Sequence, residues 1–114
     1  GAQPFAWGVN DCLMLAAAAI DAQMGIDPAR AFRGRYQTER GARRMMKRNG
    51  WSDVASALDA HLMRCAPSHA RRGDIVLVAG CAGVVFGPLA LLIGDDGFER
   101  VPLSEWQAAW RVGD

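Results

Sequence analysis

Long apolar runs, histidines and paired cysteines are all scarce in this sequence of 114 residues. The longest apolar run, Cys12 to Ile20, is shorter than the ~18–20 residues that a membrane-spanning helix needs, and we therefore expect no membrane partner. Three cysteines are an odd number, and their spacing matches no disulfide framework. We interpret them as reduced thiols of an intracellular protein. Because no signal peptide is evident, we expect synthesis in the cytoplasm.

Positive charge is concentrated in one segment, although the net charge is only +1. Eight of the thirteen Lys and Arg residues lie between Arg30 and Arg48, where Glu39 is the single acid. A basic block of this kind binds nucleic acid, an acidic polymer or another anionic partner, or else forms a solvated helix face. The segment has few aromatic residues for stacking and no recognisable reader motif, so we do not expect nucleic acid as a partner.

Helical patterns come first in the chain and strand patterns follow. Asn10 or Asp11 is a suitable cap for a helix that runs to about Met24, with Gly25 just after its end. Further helical segments are predicted at residues 27–32, 38–48 and 52–62, with a last helical turn at residues 104–106. Strands are predicted at residues 75–78, 84–86, 89–93, 98–101 and 110–112, with a hairpin turn at residues 95–97. The expected fold class is α+β: one domain over residues 1–114, with N-terminal helices packed on a small, mostly antiparallel sheet.

Cys12 is the residue on which a catalytic role would depend. It follows the predicted cap at the N-terminal end of the first helix, where unpaired N–H groups and the helix dipole favour the reactive thiolate. We expect Trp7, Gly8 and Asp11 to line a cleft beside it. Spacing alone favours a buried structural cysteine at this position.

Several motifs together resemble the NlpC-type papain-like cysteine peptidases, which cut bacterial cell-wall peptides. Trp7-Gly8 and Asp11-Cys12, followed by an alanine-rich helix, resemble the nucleophile segment of that family. Residues 72–78 resemble its "GD" strand, and residues 82–87 resemble the strand that follows. The chain is most similar to a branch associated with phage and prophage tails. The resemblance implies a papain-like fold in which Cys12 is the nucleophile, with no cofactor and no metal.

Two catalytic partners of such a nucleophile are missing from the pattern. The histidine of the family begins the strand matched by residues 82–86, where this sequence has Cys81. The third polar residue belongs on the next strand, residues 89–93, which carries no polar side chain. We expect His69 at the far end of the sheet from Cys12, and nothing directs His61 toward it. Cys12 and Cys81 facing each other as a thiol pair, or two unrelated buried thiols, are both open interpretations.

The sequence therefore predicts a degenerate cysteine hydrolase fold that is kept for binding or assembly. We expect phage tail proteins or peptidoglycan peptides as partners, with the protein made in the cytoplasm and then incorporated into a phage-like particle. The alternative is an active thiol amidase or peptidase on cell-wall peptides, with Cys12 as nucleophile. A zinc site is a further alternative, for which Pro67 interrupts the helix that would align the ligands. Its four candidate ligands are His61, Cys65, His69 and Cys81.

Overall fold

The computed structural model describes residues 11–30, 34–94 and 97–113. These residues contain three α-helices and six β-strands. The helices are α1 (Cys12–Met24), α2 (Glu39–Arg48) and α3 (Val54–His61). The strands are β1 (Met63–Cys65), β2 (Ile75–Val78), β3 (Cys81–Phe86), β4 (Leu89–Gly94), β5 (Gly97–Pro102) and β6 (Ala108–Arg111). They form one antiparallel sheet in the order β1-β6-β2-β3-β4-β5, which confirms the α+β class.

The first helix begins and ends where its sequence predicts. The Asp11 carboxylate caps α1 because its Oδ1 accepts a hydrogen bond from the backbone N–H of Met14 at 3.0 Å. Gly25, with φ of 71°, ends the helix in the left-handed region that glycine adopts readily. The predicted helical segment at residues 27–32 is a turn at residues 28–30, and its last two residues lie outside the described residues.

The other two helices are also capped by short polar side chains. Thr38 caps α2 as predicted, because its hydroxyl accepts a hydrogen bond from Gly41 N–H at 3.0 Å. The prediction that Ser52 caps α3 is wrong by one residue. Asp53 accepts the hydrogen bond from Ser56 N–H at 2.8 Å, and its negative charge also suits the positive end of the helix dipole. The hydroxyl of Ser52 lies 2.9 Å from that of Ser56 instead.

The sheet buries apolar side chains on both of its faces, because successive residues of a strand point to opposite sides. Ile75 belongs to the cluster on the helix side, whereas its neighbour Val76 belongs to the cluster on the other side. The fully buried Trp110 completes the first cluster, and Trp106 belongs to the second. The prediction that Trp106 lies in a helical turn capped by Ser104 is wrong, since it follows a 3₁₀ turn that makes no side-chain cap hydrogen bond.

A tight turn joins β2 to β3 and brings the start of β3 beside the end of β2. Ala79 and Gly80 both have positive φ, 49° and 82°, which is the signature of a two-residue hairpin turn. Val78 and Cys81 are therefore paired directly across the hairpin. The predicted start of this strand at residue 84 is wrong for that reason, since the ladder begins at Cys81.

Three further boundaries complete the comparison with the sequence. The strand β1 was not predicted, because its three residues carry no alternating pattern; it pairs with β6 at one edge of the sheet. The predicted last strand occurs as β6, two residues earlier than the pattern indicates. The predicted hairpin turn includes Asp95 and Asp96, which lie outside the described residues, although the flanking Gly94 and Gly97 pair.

No helix in the described ranges is long and apolar enough to cross a bilayer.

Buried Asp74 fixes the start of β2. One of its carboxylate oxygens accepts a hydrogen bond from Val112 N–H at 2.9 Å. The other accepts from Arg71 N–H at 2.8 Å and from the Arg111 guanidinium at 3.1 Å. Because the carboxylate is only 2% exposed, these donors compensate the cost of removing its charge from water. The "GD" segment of the sequence thus serves to anchor β2 to β6.

Candidate functional site

A cleft of about 930 Å³ opens where the N-terminal turn of α1 meets the turn between β2 and β3. Its remaining walls come from one side of α2 and from the chain between α2 and α3. The residues that line it are Asp11, Leu13, Glu39, Ala42, Arg43, Met46, Lys47, Gly50, Trp51, Ser52, Asp53, Val54, Ala79, Gly80 and Cys81. The cleft therefore joins elements that are far apart in the sequence.

The orientation of α1 produces this arrangement. Near the C-terminal end of α1, the amide of Gln23 donates a hydrogen bond to the carbonyl oxygen of Gly73 at 2.7 Å, just before β2 begins. The helix packs against β3 and β4. Its N-terminal end is about 20 Å away, since thirteen residues each rise ~1.5 Å. That end consequently lies beside Ala79 and Gly80, where β2 ends and β3 begins.

Two predicted site residues, Cys12 and Cys81, have their backbone positions at this cleft. Cys12 is the first residue of α1, and both of its neighbours, Asp11 and Leu13, line the cleft. Cys81 is the first residue of β3, is exposed, and is not part of a disulfide. The structure thus brings the N-terminal turn of α1 and Cys81 to one cavity. The predicted cleft residues Trp7 and Gly8 lie outside the described residues.

Asp11 is among the residues that line the cleft, and its carboxylate stabilises the fold. In addition to the capping bond to Met14, its second oxygen accepts a hydrogen bond from the Tyr36 hydroxyl at 2.7 Å. Asp11 is only 1% exposed, and Tyr36 is buried against α1. The pair therefore holds the N-terminal turn of α1 in position from the segment that precedes α2.

The two histidines lie away from Cys81. The carbonyl oxygen of His69 accepts a hydrogen bond from the Arg111 guanidinium at 3.0 Å, and that guanidinium also contacts Asp74 at the start of β2. His69 is therefore at the opposite end of the hairpin, as expected.

His61 lines a smaller apolar cavity of about 50 Å³ between α1 and α3, not the cleft. Its Nδ1 lies 2.8 Å from the carbonyl oxygen of Ala57, and its ring meets Trp51 edge-on at 5.4 Å. Cys65 packs against the cluster on the far face of the sheet. Among the described residues no three His, Cys, Asp or Glu side chains form a group that could hold a metal ion. The four residues of the zinc alternative are therefore not assembled into a site.

The third polar residue that a papain-like site requires has no counterpart on the next strand. Residues 89–93, which form most of β4, carry only apolar side chains, and the cleft takes no lining residue from β4 among the part of the chain described. In the described residues, the cleft therefore joins the N-terminal turn of α1 to the start of β3, and no imidazole lines it. The Cys81 side chain lies on the same sheet face as its partner Val78, which is the face opposite α1.

Sequence reasoning missed the contribution of α2 and Trp51 to this site. Gly50, with φ of 80°, turns the chain after α2, and Trp51 N–H then donates to the carbonyl oxygen of Met46 at 2.9 Å. This turn places the half-buried Trp51 between the cleft and the smaller cavity. The Asn49-Gly50 pair predicted the end of a helix, but the sequence did not show that Trp51 would pack between the two cavities.

The charged residues of the cleft are held by short local contacts. Arg43 and Glu39 form an ion pair at 2.7 Å along α2. Hydrogen bonds from the backbone and hydroxyl of Ser56 lower the pKa of Asp53, so this carboxylate stays ionised at the start of α3. Lys47 lines the cleft one turn beyond Arg43.

The described residues form an α+β fold in which the N-terminal turn of α1 lies beside the start of the central strand β3. A family model described as a domain of unknown function, DUF6950, matches residues 1–112. The chain belongs to this family, since the match covers nearly its whole length. Comparison with curated proteins and with solved structures gives no match.

The contact between Tyr36 and Asp11 gives a direct test of how the cleft is held. We expect Tyr36→Phe to lower the free energy of unfolding by about 1–3 kcal/mol, since it leaves an oxygen of the buried Asp11 side chain without this hydrogen bond. Urea unfolding measures the loss, and amide exchange at Met14 should become faster. Phe98→Tyr, which adds a hydroxyl at an exposed position, is the control and should change little. A loss below about 0.5 kcal/mol for Tyr36→Phe would contradict this role, since changes that small are usual at uninvolved surface sites.

Proposed function

We propose that this chain is a papain-like domain of the NlpC type whose cleft binds a segment of a phage or prophage tail protein and no longer cuts peptide bonds. The observation that carries the proposal is the shared cleft of the α1 N-terminal turn and the start of β3, with exposed Cys81 where the resemblance implies a histidine. The described residues that line the cleft include no histidine that could accept a proton, which supports binding over hydrolysis.

The absence of a base argues against hydrolysis in chemical terms. A cysteine nucleophile needs a neighbour that takes its proton and returns it to the leaving group. A thiol with an ordinary pKa near ~8.5 is mostly protonated at neutral pH and is a poor proton acceptor there. The chain has only two histidines, and both lie outside the cleft that Cys81 lines. The β4 side chains offer no polar group to orient a base.

The walls of the cleft suit the binding of a peptide segment. Leu13, Met46 and Val54 supply apolar surface, and Trp51 adds an aromatic ring of the kind that anchors protein interfaces. The volume of about 930 Å³ is at the upper end of the ~300–1,000 Å³ usual for ligand cavities, so several side chains fit. We propose synthesis in the cytoplasm and incorporation into a phage-like particle through this contact.

Filling the cleft should abolish the partner contact. We expect Leu13→Trp to remove co-purification with tail proteins from cells that produce the phage, because the larger side chain fills the cleft from the N-terminal turn of α1. Mass spectrometry of the captured tail proteins measures the effect. Phe86→Trp, at the exposed end of β3, is the control and should retain capture. Equal capture by both variants, with both folded by circular dichroism, would refute cleft binding.

The alternative function, a thiol amidase or peptidase, is favoured by one observation. Cys12 is the first residue of a capped helix at a cleft, where backbone N–H groups stabilise both a thiolate and an oxyanion.

Hydrolysis of purified peptidoglycan separates the two functions. We expect equal, background rates for the unmodified chain and for Cys12→Ala, because no base activates the thiol. Release of soluble muropeptides measures the rate. A muramidase of known activity on the same substrate shows that the assay detects released muropeptides. A rate for the unmodified chain that Cys12→Ala abolishes would establish the alternative.

A further inference from the structure

We propose that the segment held in the cleft is acidic and that the exposed cationic face of α2 selects it. This cationic face consists of Arg40, Arg43, Arg44, Lys47 and Arg48, all exposed. The inference rests on the proposed function, because it names the chemistry of the partner that the same cleft binds. Its basis is the placement of these five side chains, the state of their charges and the composition of the cleft beside them.

The five cations share less than half of the circumference of α2. With 3.6 residues per turn, Arg40, Arg44 and Arg48 form one row at intervals of four residues, and Arg43 and Lys47 form a second row beside it. The second row lines the cleft. The opposite side of the helix carries Ala42 and Met46, which are buried. The helix is thus fixed by its apolar side, and its cations are presented next to the cleft opening.

Most of this charge is not neutralised within the protein. In the described residues, Arg43 pairs with Glu39, and the other four cations of the face take part in no ion pair. Each acid that lines the cleft is engaged by a protein donor: Asp11 by Tyr36, Asp53 by Ser56, and Glu39 by Arg43. Hydrogen bonds from neutral donors leave the carboxyl charges in place, so the balance is a matter of counting. The cationic face and the cleft lining together hold five cations (Arg40, Arg43, Arg44, Lys47 and Arg48) and three acids (Asp11, Glu39 and Asp53), which is an excess of two positive charges.

The neighbourhood of these cations favours a peptide over the other polyanions. Protein interfaces combine a desolvated aromatic or aliphatic centre with a charged rim rich in arginine, which is the relation between Trp51 and the cationic face. Binding of single-stranded nucleic acid uses exposed aromatic platforms, whereas Tyr36 is buried and Trp51 is half-buried. A helix that enters a bilayer surface needs an exposed apolar side, and that side of α2 is buried. The partner that fits is an extended segment with carboxylates beside apolar side chains.

Direct binding of a designed peptide tests the inference. The probe is a fluorescein-labelled peptide of alternating glutamate and leucine, and its counterpart replaces each glutamate by glutamine. We expect the glutamate peptide to bind more tightly, with an affinity that falls as salt rises. Lys47→Glu should weaken it about fivefold to tenfold, as expected for replacing one exposed attraction by a repulsion. Arg100→Glu, the same charge change on exposed β5, is the matched control and should leave the affinity unchanged.

Four results with the peptides would overturn the inference. The first is equal or absent binding of the two peptides. The second is the same loss of affinity for Lys47→Glu and Arg100→Glu, which would indicate a nonspecific effect of net charge. The third is tighter binding of duplex DNA of matched charge. The fourth is binding of the glutamate peptide that the cleft-filling Leu13→Trp leaves unchanged.

The capture experiment separates this inference from the proposed function. Loss of tail-protein capture in Leu13→Trp but not in Lys47→Glu would overturn the acidic partner and leave the proposed function intact.

Discussion

Helix α1 packs its apolar side on the central strands, and a hydrogen bond near its C-terminal end joins that end to the start of β2. Gln23 donates that bond to the carbonyl oxygen of Gly73, immediately before β2. Gly73 has φ of 92°, and a side-chain Cβ there would lie 2.5 Å from Gln23 Oε1, so the contact depends on glycine. Once this end is fixed, the length of α1 carries its first turn to the β2–β3 hairpin. The cleft and both cysteine positions follow from that geometry.

The same packing leaves the Asp74–Arg111 ion pair and both histidines outside the cleft. Asp74 and Arg111 tie the start of β2 to β6 at the far end of the hairpin, and His69 is held there by its carbonyl oxygen. His61 ends α3 and lines the smaller apolar cavity. Within the described ranges, neither imidazole is among the residues that line the cleft. This arrangement supports the binding function that we propose.

The sequence predicted the fold class and most elements because the signals were local. Asp11, Thr38 and Gly25 mark helix boundaries through caps whose chemistry is set by the residue type. The Ala79-Gly80 hairpin was missed because alanine rarely adopts positive φ, so only the paired structure shows that the ladder starts at Cys81. Ser52 and Asp53 are both suitable capping residues, and the sequence alone did not show which of them caps α3.

The sequence predicted only part of the candidate site, because the rest depends on packing between distant segments. Cys12 and Cys81 stood out through a family pattern, and the structure brings their backbone positions to one cleft. The contributions of Trp51, Lys47 and Tyr36 depend on how α2 and its flanking segments fold onto α1, and no local pattern encodes that packing. The sequence likewise showed that residues 30–48 are basic, but it did not show that the cations of α2 share one exposed face.

Paramagnetic relaxation enhancement tests the central claim, which is the direction of α1 relative to β3. A nitroxide is attached to Cys81 after Cys12→Ser and Cys65→Ser leave it as the single thiol, and broadening of backbone amide resonances is followed along α1. The account predicts the strongest broadening at Leu13 and Met14 and a steady decline toward Met24. Uniform broadening, or broadening strongest at Gln23 and Met24, would contradict the placement of the α1 N-terminal turn at the cleft.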